Sequence, residues 1–176
     1  MLFPSPLVTA DREGVLRDIR AALADHRIVC VGRPLPSGKL ADPSENVSFE
    51  AILSVADNVL IEADGSAGRP LKAHRPWEPV VPECTDTTVC LVGASGIGQP
   101  VSVAAHCPEL FASLAGIAPD DIADEPAVAR VLNREDLADI YLVNQIDALT
   151  DPERAVRLCK LIHKPACPCS LISSGV

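Results

Sequence analysis

Two acidic residues that follow an apolar run are the first feature of the sequence that could carry chemistry. The run 58–61 leads to Glu62 and Asp64, and Gly65 and Ser66 come directly after. Magnesium prefers one or two carboxylates together with phosphate oxygens. We therefore predict that Asp64 and Glu62 hold Mg²⁺ through water and act in catalysis, with Gly65 and Ser66 beside the bound ligand. An Asp-Gly-Ser turn without a function would explain the same residues, but we favour the metal site because a pair of acids ends so apolar a strand.

A cluster of cations follows the acidic pair. Three cations and a histidine, Arg69, Lys72, His74 and Arg75, lie within seven residues of an otherwise acidic chain. Recognition of a phosphate or a carboxylate would explain this clustering, and a solvated loop would explain it equally well. Lys72 is the predicted phosphate contact, because the preceding proline and leucine would anchor its backbone.

A third group of polar residues follows an apolar run near the C-terminus. Asn144 and Asp147, in Asn-Gln-Ile-Asp, resemble the Asn-Lys-x-Asp element with which GTP-binding proteins recognise guanine, although Gln145 replaces the lysine. Ser174 stands where such proteins place a small polar loop against the base. We predict that these residues bind a purine nucleotide, GTP or ATP. The simpler alternative is that Asn144 and Asp147 cap the next helix.

His106 and two glycine-containing segments complete the residues that could bind or react. His106 precedes a proline that favours a helix start, so it could act in acid–base chemistry or could simply pack there. The segment 32–40 is not a P-loop, because its glycines are wrongly spaced, Leu40 replaces the Ser or Thr, and two prolines remove main-chain N–H groups. The segment 93–98 predicts only a turn that lets a ligand approach the backbone.

The apolar pattern predicts strands that alternate with helices. Strands are predicted at residues 28–31, 58–62, 87–92, 139–144 and 168–173. Helices are predicted at residues 11–25, with Asp11 as the N-cap, and at residues 48–56, 108–115, 125–133 and 152–163. Apolar strands separated by helices are typical of a mostly parallel sheet flanked by helices, whose ligands bind beyond the carboxyl ends of the strands. We therefore expect one α/β domain over residues 1–176.

The composition excludes several classes of protein. The chain has 24 acidic and 15 basic residues, a formal net charge of −9, so a nucleic-acid partner is not expected. The apolar runs are far shorter than the roughly 20 residues that a membrane helix needs, so no membrane partner is expected either. Seven cysteines, an odd number, fit a reducing compartment better than a disulfide framework. These features predict a cytoplasmic protein.

Five segments together resemble the YqeC family. They are Val59–Ser66, Arg69–Ala73, Glu78–Pro82, His106–Phe111 and Val143–Asp147. Members of this family are described as accessory proteins for selenium-dependent molybdenum hydroxylases. The resemblance runs from about Gly32 to the C-terminus, and Cys107 departs from it because the family tends to have arginine there.

The resemblance implies a P-loop NTPase-like fold of three layers and a hydroxylase, or its cofactor machinery, as the partner. Family members carry a Gly-Gly-Lys-Thr segment near the N-terminus, and we expect Met1 of this chain to follow that segment, so that the first strand and the phosphate loop are missing. Two functions follow as alternatives. One is a nucleotide-dependent maturation protein that binds a magnesium–nucleotide complex, with hydrolysis implied for full-length family members and not for this chain alone. The other is a non-enzymatic module that binds its partner through residues 68–83, with Trp77 as an anchor and a vestigial nucleotide site.

Overall fold

The computed structural model describes residues 7–9, 14–37 and 39–172. Contacts divide the chain into two compact units, one of residues 1–61 and 82–84 and the other of residues 62–81 and 85–176. The expectation of a single domain over residues 1–176 stays a prediction. No helix in the described ranges is long and apolar enough to cross a membrane.

The first unit contains a small mixed sheet and two helices. Strand β1 (Leu7–Thr9) pairs in parallel with β2 (Cys30–Pro34), and β2 pairs in antiparallel with β3 (Leu40–Ala41). Helix α1 (Val15–His26) packs its fully buried Ile19 into the core of this unit. The helix predicted at residues 11–25 is confirmed from Val15 onward, but its N-cap is Gly14 and not the predicted Asp11, which lies outside the described residues.

Helix α2 (Phe49–Leu53) begins as its sequence predicts but ends early. The Ser48 hydroxyl accepts a hydrogen bond from the Ala51 N–H at 3.2 Å, which is the expected N-cap interaction. The helix stops near Ser54, whose hydroxyl donates to the Ala51 carbonyl at 2.7 Å.

The strand predicted at residues 58–62 is wrong. These residues have no regular secondary structure, and the Leu60 side chain is 99% exposed. A strand requires a neighbour that accepts and donates main-chain hydrogen bonds, and no described strand lies beside this segment. Its apolar pattern alone therefore does not produce a strand.

The second unit has a three-stranded sheet in which every pair is parallel. The strand order is β5 (Val89–Gly93), β7 (Ile140–Asn144) and β8 (Ala166–Pro168). In the register, Cys90 faces Tyr141 and Tyr141 faces Ala166. Two further short strands, β4 (Leu71–Lys72) and β6 (Ala105–His106), pair in parallel with each other. The last predicted strand, at residues 168–173, is shifted, because the pairing with β7 begins at Ala166.

Four helices accompany these strands in the described part of the second unit. They are α3 (Val101–Ala104), α4 (Pro108–Ala115), α5 (Glu125–Glu135) and α6 (Glu153–Leu161). The largest fully buried side chains in the core of this unit include Phe111, Val131, Val143 and Leu158. Parallel strands with helices packed on them confirm the predicted α/β class, and the three-layer, NTPase-like arrangement remains what the family resemblance implies.

Candidate functional site

The alternation of side chains along residues 71–74 separates an apolar pair from a polar pair. Leu71 and Ala73 are buried in the core of the second unit, whereas Lys72 and His74 point the other way. Successive residues of an extended chain face opposite sides. Burial of Leu71 and Ala73 therefore fixes the direction of the lysine and the histidine.

Lys72 is surrounded by acceptors. Its ammonium group donates to Asp64 Oδ1 at 2.6 Å and to the Gly65 carbonyl at 2.9 Å, and it forms an ion pair with Glu78 Oε2 at 3.0 Å. The side chain is only 7% exposed. Burial alone would lower the pKa of Lys72, but the hydrogen bonds to Asp64 and Glu78 and their negative charges raise it above its usual value. The lysine is therefore held in its charged form.

His74 connects the same aspartate to the end of helix α5. Its Nε2 lies 3.2 Å from Asp64 Oδ2 and its Nδ1 lies 2.9 Å from Glu135 Oε2. The His74 main-chain N–H also donates to Glu135 Oε1, at 2.6 Å. A neutral imidazole can donate to only one of the two carboxylates, whereas an imidazolium can donate to both.

These five residues, Asp64, Lys72, His74, Glu78 and Glu135, form a continuous network that we call the Lys72 cluster. The three carboxylates of the cluster carry three negative charges, whereas Lys72 and His74 together carry at most two positive charges. The cluster is therefore net negative whether His74 is neutral or protonated. The Lys72 ammonium also lowers the pKa of the Glu78 carboxyl through the hydrogen bond between them. A further anion at this position would meet a negative field.

The cluster also affects a partly buried thiol on β5. Burial raises the pKa of Cys90 to about 11, and the negative charges of Glu135 and Asp64 act in the same direction. A thiol with so high a pKa is not nucleophilic at neutral pH. Cys90 is therefore part of the packing and not a reactive group.

The arrangement around Asp64 does not fit a magnesium ion. Each oxygen of this carboxylate already has a cationic or donor partner, Lys72 on one side and His74 on the other. An ion bound to Asp64 through water would lie beside the Lys72 ammonium, and like charges repel. Magnesium would fit here only if the lysine moved away, so we derive no chemical step that uses it.

The other residues predicted near Asp64 are not part of the network. Glu62 is exposed, and the Ser66 carbonyl accepts a hydrogen bond from the Arg69 N–H at 3.0 Å in a tight turn. His106 lies on β6 opposite Lys72 in the strand register, with its carbonyl accepting from the Ala73 N–H at 3.2 Å. The roles predicted for Glu62, Ser66 and His106 stay predictions.

The predicted nucleotide-base residues lie after β7. Asn144, the last residue of that strand, accepts a hydrogen bond from the Leu171 N–H through its Oδ1 at 2.9 Å. Gln145 adopts a left-handed conformation with φ 67°, and its Oε1 accepts from the Ser95 hydroxyl at 2.6 Å. Asp147 is exposed in a short 3-10 turn. Asn144 therefore fixes the chain after β8, and base recognition by Asn144 and Asp147 stays a prediction. Ser174 lies outside the described residues.

The residues after β7 lie outside the Lys72 cluster, although the Pro70 carbonyl, two residues before Lys72, accepts from the N–H of Gly93, which pairs with Asn144 in the register. Glu135 ends helix α5, and the Tyr141 hydroxyl, near the start of β7, lies 3.4 Å from the Leu132 carbonyl of the same helix. Asn144 ends β7. No hydrogen bond or ion pair among the described residues joins Asp64 to Asn144. The structure thus brings together Asp64, Gly65 and Lys72, and it does not join the base residues to them.

Sequence reasoning missed the role of Glu135. This residue lies 61 positions beyond His74 and follows an ordinary helical pattern, so no local signal distinguishes it. Glu78 carried a weak signal, because it stands in one of the segments that resemble the YqeC family. His74 was noticed as part of the cation cluster, but its two carboxylate partners were not.

An exposed apolar loop lies directly after the cluster. Trp77 is 67% exposed and Val80 is 65% exposed, and Val81 is also open to solvent. The Arg75 guanidinium lies 5.9 Å from the centre of the Trp77 ring, within the range of a cation–π contact. We call residues 75–81 the Trp77 loop.

The Trp77 loop is held at several points. The Glu78 N–H donates to the Arg75 carbonyl at 2.9 Å, the Val80 N–H donates to the Ala63 carbonyl at 3.3 Å, and Glu78 pairs with Lys72. These contacts fix the backbone on both sides of the tryptophan.

Comparisons with known proteins agree on one family. A family model described as YqeC, "YqeC protein", matches residues 5–109. A curated relative from Escherichia coli (strain K12), described as "Uncharacterized protein YqeC", is 40% identical over 65 residues, which are 36% of this chain and 25% of that protein. The match thus spans about a quarter of the relative's length. No solved structure matches the chain.

Proposed function

The chain belongs to the YqeC family, and we propose that it is an accessory protein for the maturation of a selenium-dependent molybdenum hydroxylase, which it contacts through the Trp77 loop. The hydroxylase as partner rests on the family resemblance. Exposure of Trp77 beside Val80 is the observation that carries the mode of action, because tryptophan and arginine are enriched among the residues that dominate binding energy.

The Lys72 cluster supports this role by ordering the loop before binding. A loop that is already fixed loses less conformational entropy when it binds, and each side chain that need not be immobilised saves roughly 0.5–1.5 kcal/mol. The Lys72–Glu78 ion pair and the Val80 hydrogen bond supply that order. In this proposal Lys72 positions the loop and does not itself contact the partner.

The test is a binding measurement with the hydroxylase of the same organism. We expect Trp77→Ala to weaken binding by about 2 kcal/mol, roughly thirtyfold, as for a central aromatic residue of an interface. Ile172→Ala is the matched control, because Ile172 is as exposed as Trp77 and lies outside the loop. Equal affinity of the wild type and Trp77→Ala for the hydroxylase would refute the proposal.

Binding of Mg²⁺ with GTP or ATP is the second candidate function. The open backbone at Gly65 and Gly68 favours it, because an added Cβ at either glycine meets no atom within 4 Å and a ligand could approach closely. It requires that Lys72 leave Asp64. Calorimetric titration with each magnesium–nucleotide complex tests it. Nucleotide binding that is lost in Asp64→Asn and in Asp147→Asn would support this second function. If the wild type gives no heat of binding, this second function is refuted and only the proposed partner role remains.

A further inference from the structure

Two cysteines, one on strand β8 and one just beyond it, are oriented alike. The Tyr141 N–H donates to the Pro165 carbonyl at 2.9 Å, and the Cys169 N–H donates to the Val143 carbonyl at 2.9 Å. The main-chain groups of residues 165 and 169 therefore both face β7, and Cys167, midway between them, faces it too. Side chains two residues apart in an extended chain point to the same side of a sheet, so both thiols lie on one side of β8.

The segment that carries these thiols is held in place by β7 and by the residue that ends it. The register pairs Cys167 with Leu142 of β7, and the Asn144 Oδ1 accepts from the Leu171 N–H at 2.9 Å. The Cys169 sulfur lies 4.0 Å from the same Asn144 oxygen. Side chains on a fixed backbone lose less freedom when they bind a ligand, so this segment suits a binding site.

Packing does not account for the thiol of Cys167. The residue is exposed, whereas a free cysteine that packs as a small apolar residue is normally buried. Its sulfur makes a hydrogen bond to the Pro168 carbonyl, one residue further on, at 3.4 Å. Burial raises the pKa of Cys169, and the negative charge of Cys167 acts in the same direction. The two sulfurs are thus close enough to interact.

The spacing of the two thiols suits a bridging ion better than a disulfide. Two residues of a parallel strand advance the chain by about 6.6 Å, whereas the Cβ atoms of a disulfide lie roughly 3.5–4.5 Å apart. A thiolate–zinc bond is about 2.3 Å long, and bonds of that length on opposite sides of an ion place two sulfurs about 4.6 Å apart. Two side chains that lean toward each other reach this separation without a change in the strand.

The number of ligands selects the ion. Thiolates are soft ligands that favour Cu(I), Zn²⁺ and iron–sulfur clusters. Structural Zn²⁺ and iron–sulfur clusters take four protein ligands, and within residues 7–9, 14–37 and 39–172 no group of three or more His, Cys, Asp or Glu side chains could hold a metal ion. Cu(I) has a filled d shell and forms stable linear complexes with two thiolates. A pair of thiols alone therefore fits Cu(I) best.

We propose that Cys167 and Cys169 bind one Cu(I) ion between their two sulfurs. Each thiol releases its proton to solvent as its sulfur–copper bond forms, and neither sulfur nor copper changes its oxidation state. The site uses residues outside the Lys72 cluster and the Trp77 loop, so the proposal is independent of the hydroxylase as partner.

Competition for Cu(I) tests the proposal on the whole, reduced chain under anaerobic conditions. The chelator bathocuproine disulfonate forms a coloured Cu(I) complex, and loss of that colour measures the transfer of copper to the protein. We expect transfer of one Cu(I) per chain. Cys167→Ser and Cys169→Ser should each lower the Cu(I) affinity by at least about 100-fold, because loss of an outer-shell partner alone costs roughly 10–100-fold. Cys30→Ser removes an exposed cysteine elsewhere and should leave the affinity unchanged.

A variant with the same number of cysteines tests the spacing. Pro168→Cys/Cys169→Ser moves the second thiol to the opposite side of the strand, and it should bind Cu(I) as weakly as Cys169→Ser. Circular dichroism checks that each variant is folded. If this double variant does not fold, Cys167→Ser keeps the test open, because it alters only an exposed side chain.

Three results would overturn the proposal. One is a wild type that takes no Cu(I) from the chelator. Another is equal Cu(I) affinity of the wild type and Cys167→Ser/Cys169→Ser, which would place the copper on other cysteines. The last is equal affinity of the wild type and Pro168→Cys/Cys169→Ser, because binding would then depend on the number of thiols and not on their common side of the strand.

Discussion

Replacement of Lys72 by methionine tests whether the Lys72 cluster stabilises the second unit. Methionine keeps the length and the apolar stem of lysine but removes the ammonium group. Asp64 and Glu78 would then stand close together without the charge that now lies 2.6 Å from one and 3.0 Å from the other. We expect a large loss of stability, because two carboxylates would be left partly buried and unpaired.

The expected magnitude follows from the burial of the three groups. Breaking a buried ion pair by removing one partner costs roughly 3–5 kcal/mol. The lysine is almost fully buried, but the two carboxylates are about one-fifth exposed, so water can reach them. We therefore expect Lys72→Met to lower the free energy of unfolding by about 3 kcal/mol, near the bottom of that range.

Urea unfolding at pH 7, followed by far-ultraviolet circular dichroism, measures this loss. Lys164→Met is the matched control, because Lys164 forms an ion pair of 2.8 Å with Asp136 but both groups are open to solvent. Such surface pairs contribute about 0–1 kcal/mol. The chain has one tryptophan, Trp77, so its fluorescence reports the order of the loop in the same samples.

A loss in Lys72→Met no larger than that in Lys164→Met would refute the reasoning. If Lys72→Met does not fold, the double variant Lys72→Met/Glu78→Gln keeps the test open, because it removes a carboxylate together with the ammonium. The double variant should fold under conditions in which Lys72→Met does not, and where both fold it should be about 1 kcal/mol more stable than Lys72→Met, as for coupled neighbours. If the double variant is no more stable than Lys72→Met, the Lys72 ammonium does not stabilise the Glu78 carboxylate.

Three further predictions concern separate parts of the chain. Hydrogen bonds from two arginines lower the pKa of Glu125 to about 2. Because this pKa lies below that of the unfolded chain, the stabilisation by Glu125 is complete above about pH 5 and is lost as the pH falls toward 2. Glu125→Gln should therefore lower the free energy of unfolding by about 2–3 kcal/mol at pH 7 and make the urea midpoint less dependent on acidic pH. Glu153→Gln, on an exposed helix turn, is the control and should change neither the free energy of unfolding at pH 7 nor the dependence of the urea midpoint on acidic pH. Iodoacetamide at pH 8 should label Cys90 much more slowly than the exposed Cys30 by mass spectrometry, and equal rates would contradict the burial of Cys90. Ala67 has φ 51°, so Ala67→Gly should raise the thermal midpoint by relieving about 1 kcal/mol of strain, whereas a lower midpoint would contradict this.

Helices with strong local signals could be predicted from the sequence. The bounds predicted for α4, residues 108–115, are those of the structure, because Pro108 favours the first helical position and Gly116 ends the helix in a left-handed conformation with φ 72°. The α5 prediction also holds, with Asp124 as the N-cap that accepts from the Ala127 N–H at 2.8 Å. These signals act within a few residues of one another and need no tertiary context.

Strands were predicted less well because a strand depends on its neighbours. The apolar segment 58–62 resembles a strand, yet no described strand pairs with it. The final strand begins at Ala166, two residues before the predicted start, because its pairing partner Tyr141 fixes the register there. Periodicity reports which side chains are apolar, but it does not report what lies beside them.

The sequence by itself determined the family and the α/β class, because each is expressed in residue types and local spacing. Only the tertiary structure decided that Lys72 pairs with Asp64 and Glu78 and that Glu135 joins them through His74. These contacts link residues between six and 61 positions apart, and the charge of a site is the sum over all of them. In three dimensions the Asp64 carboxylate of this acidic loop is paired with Lys72 and His74, which the local sequence does not show.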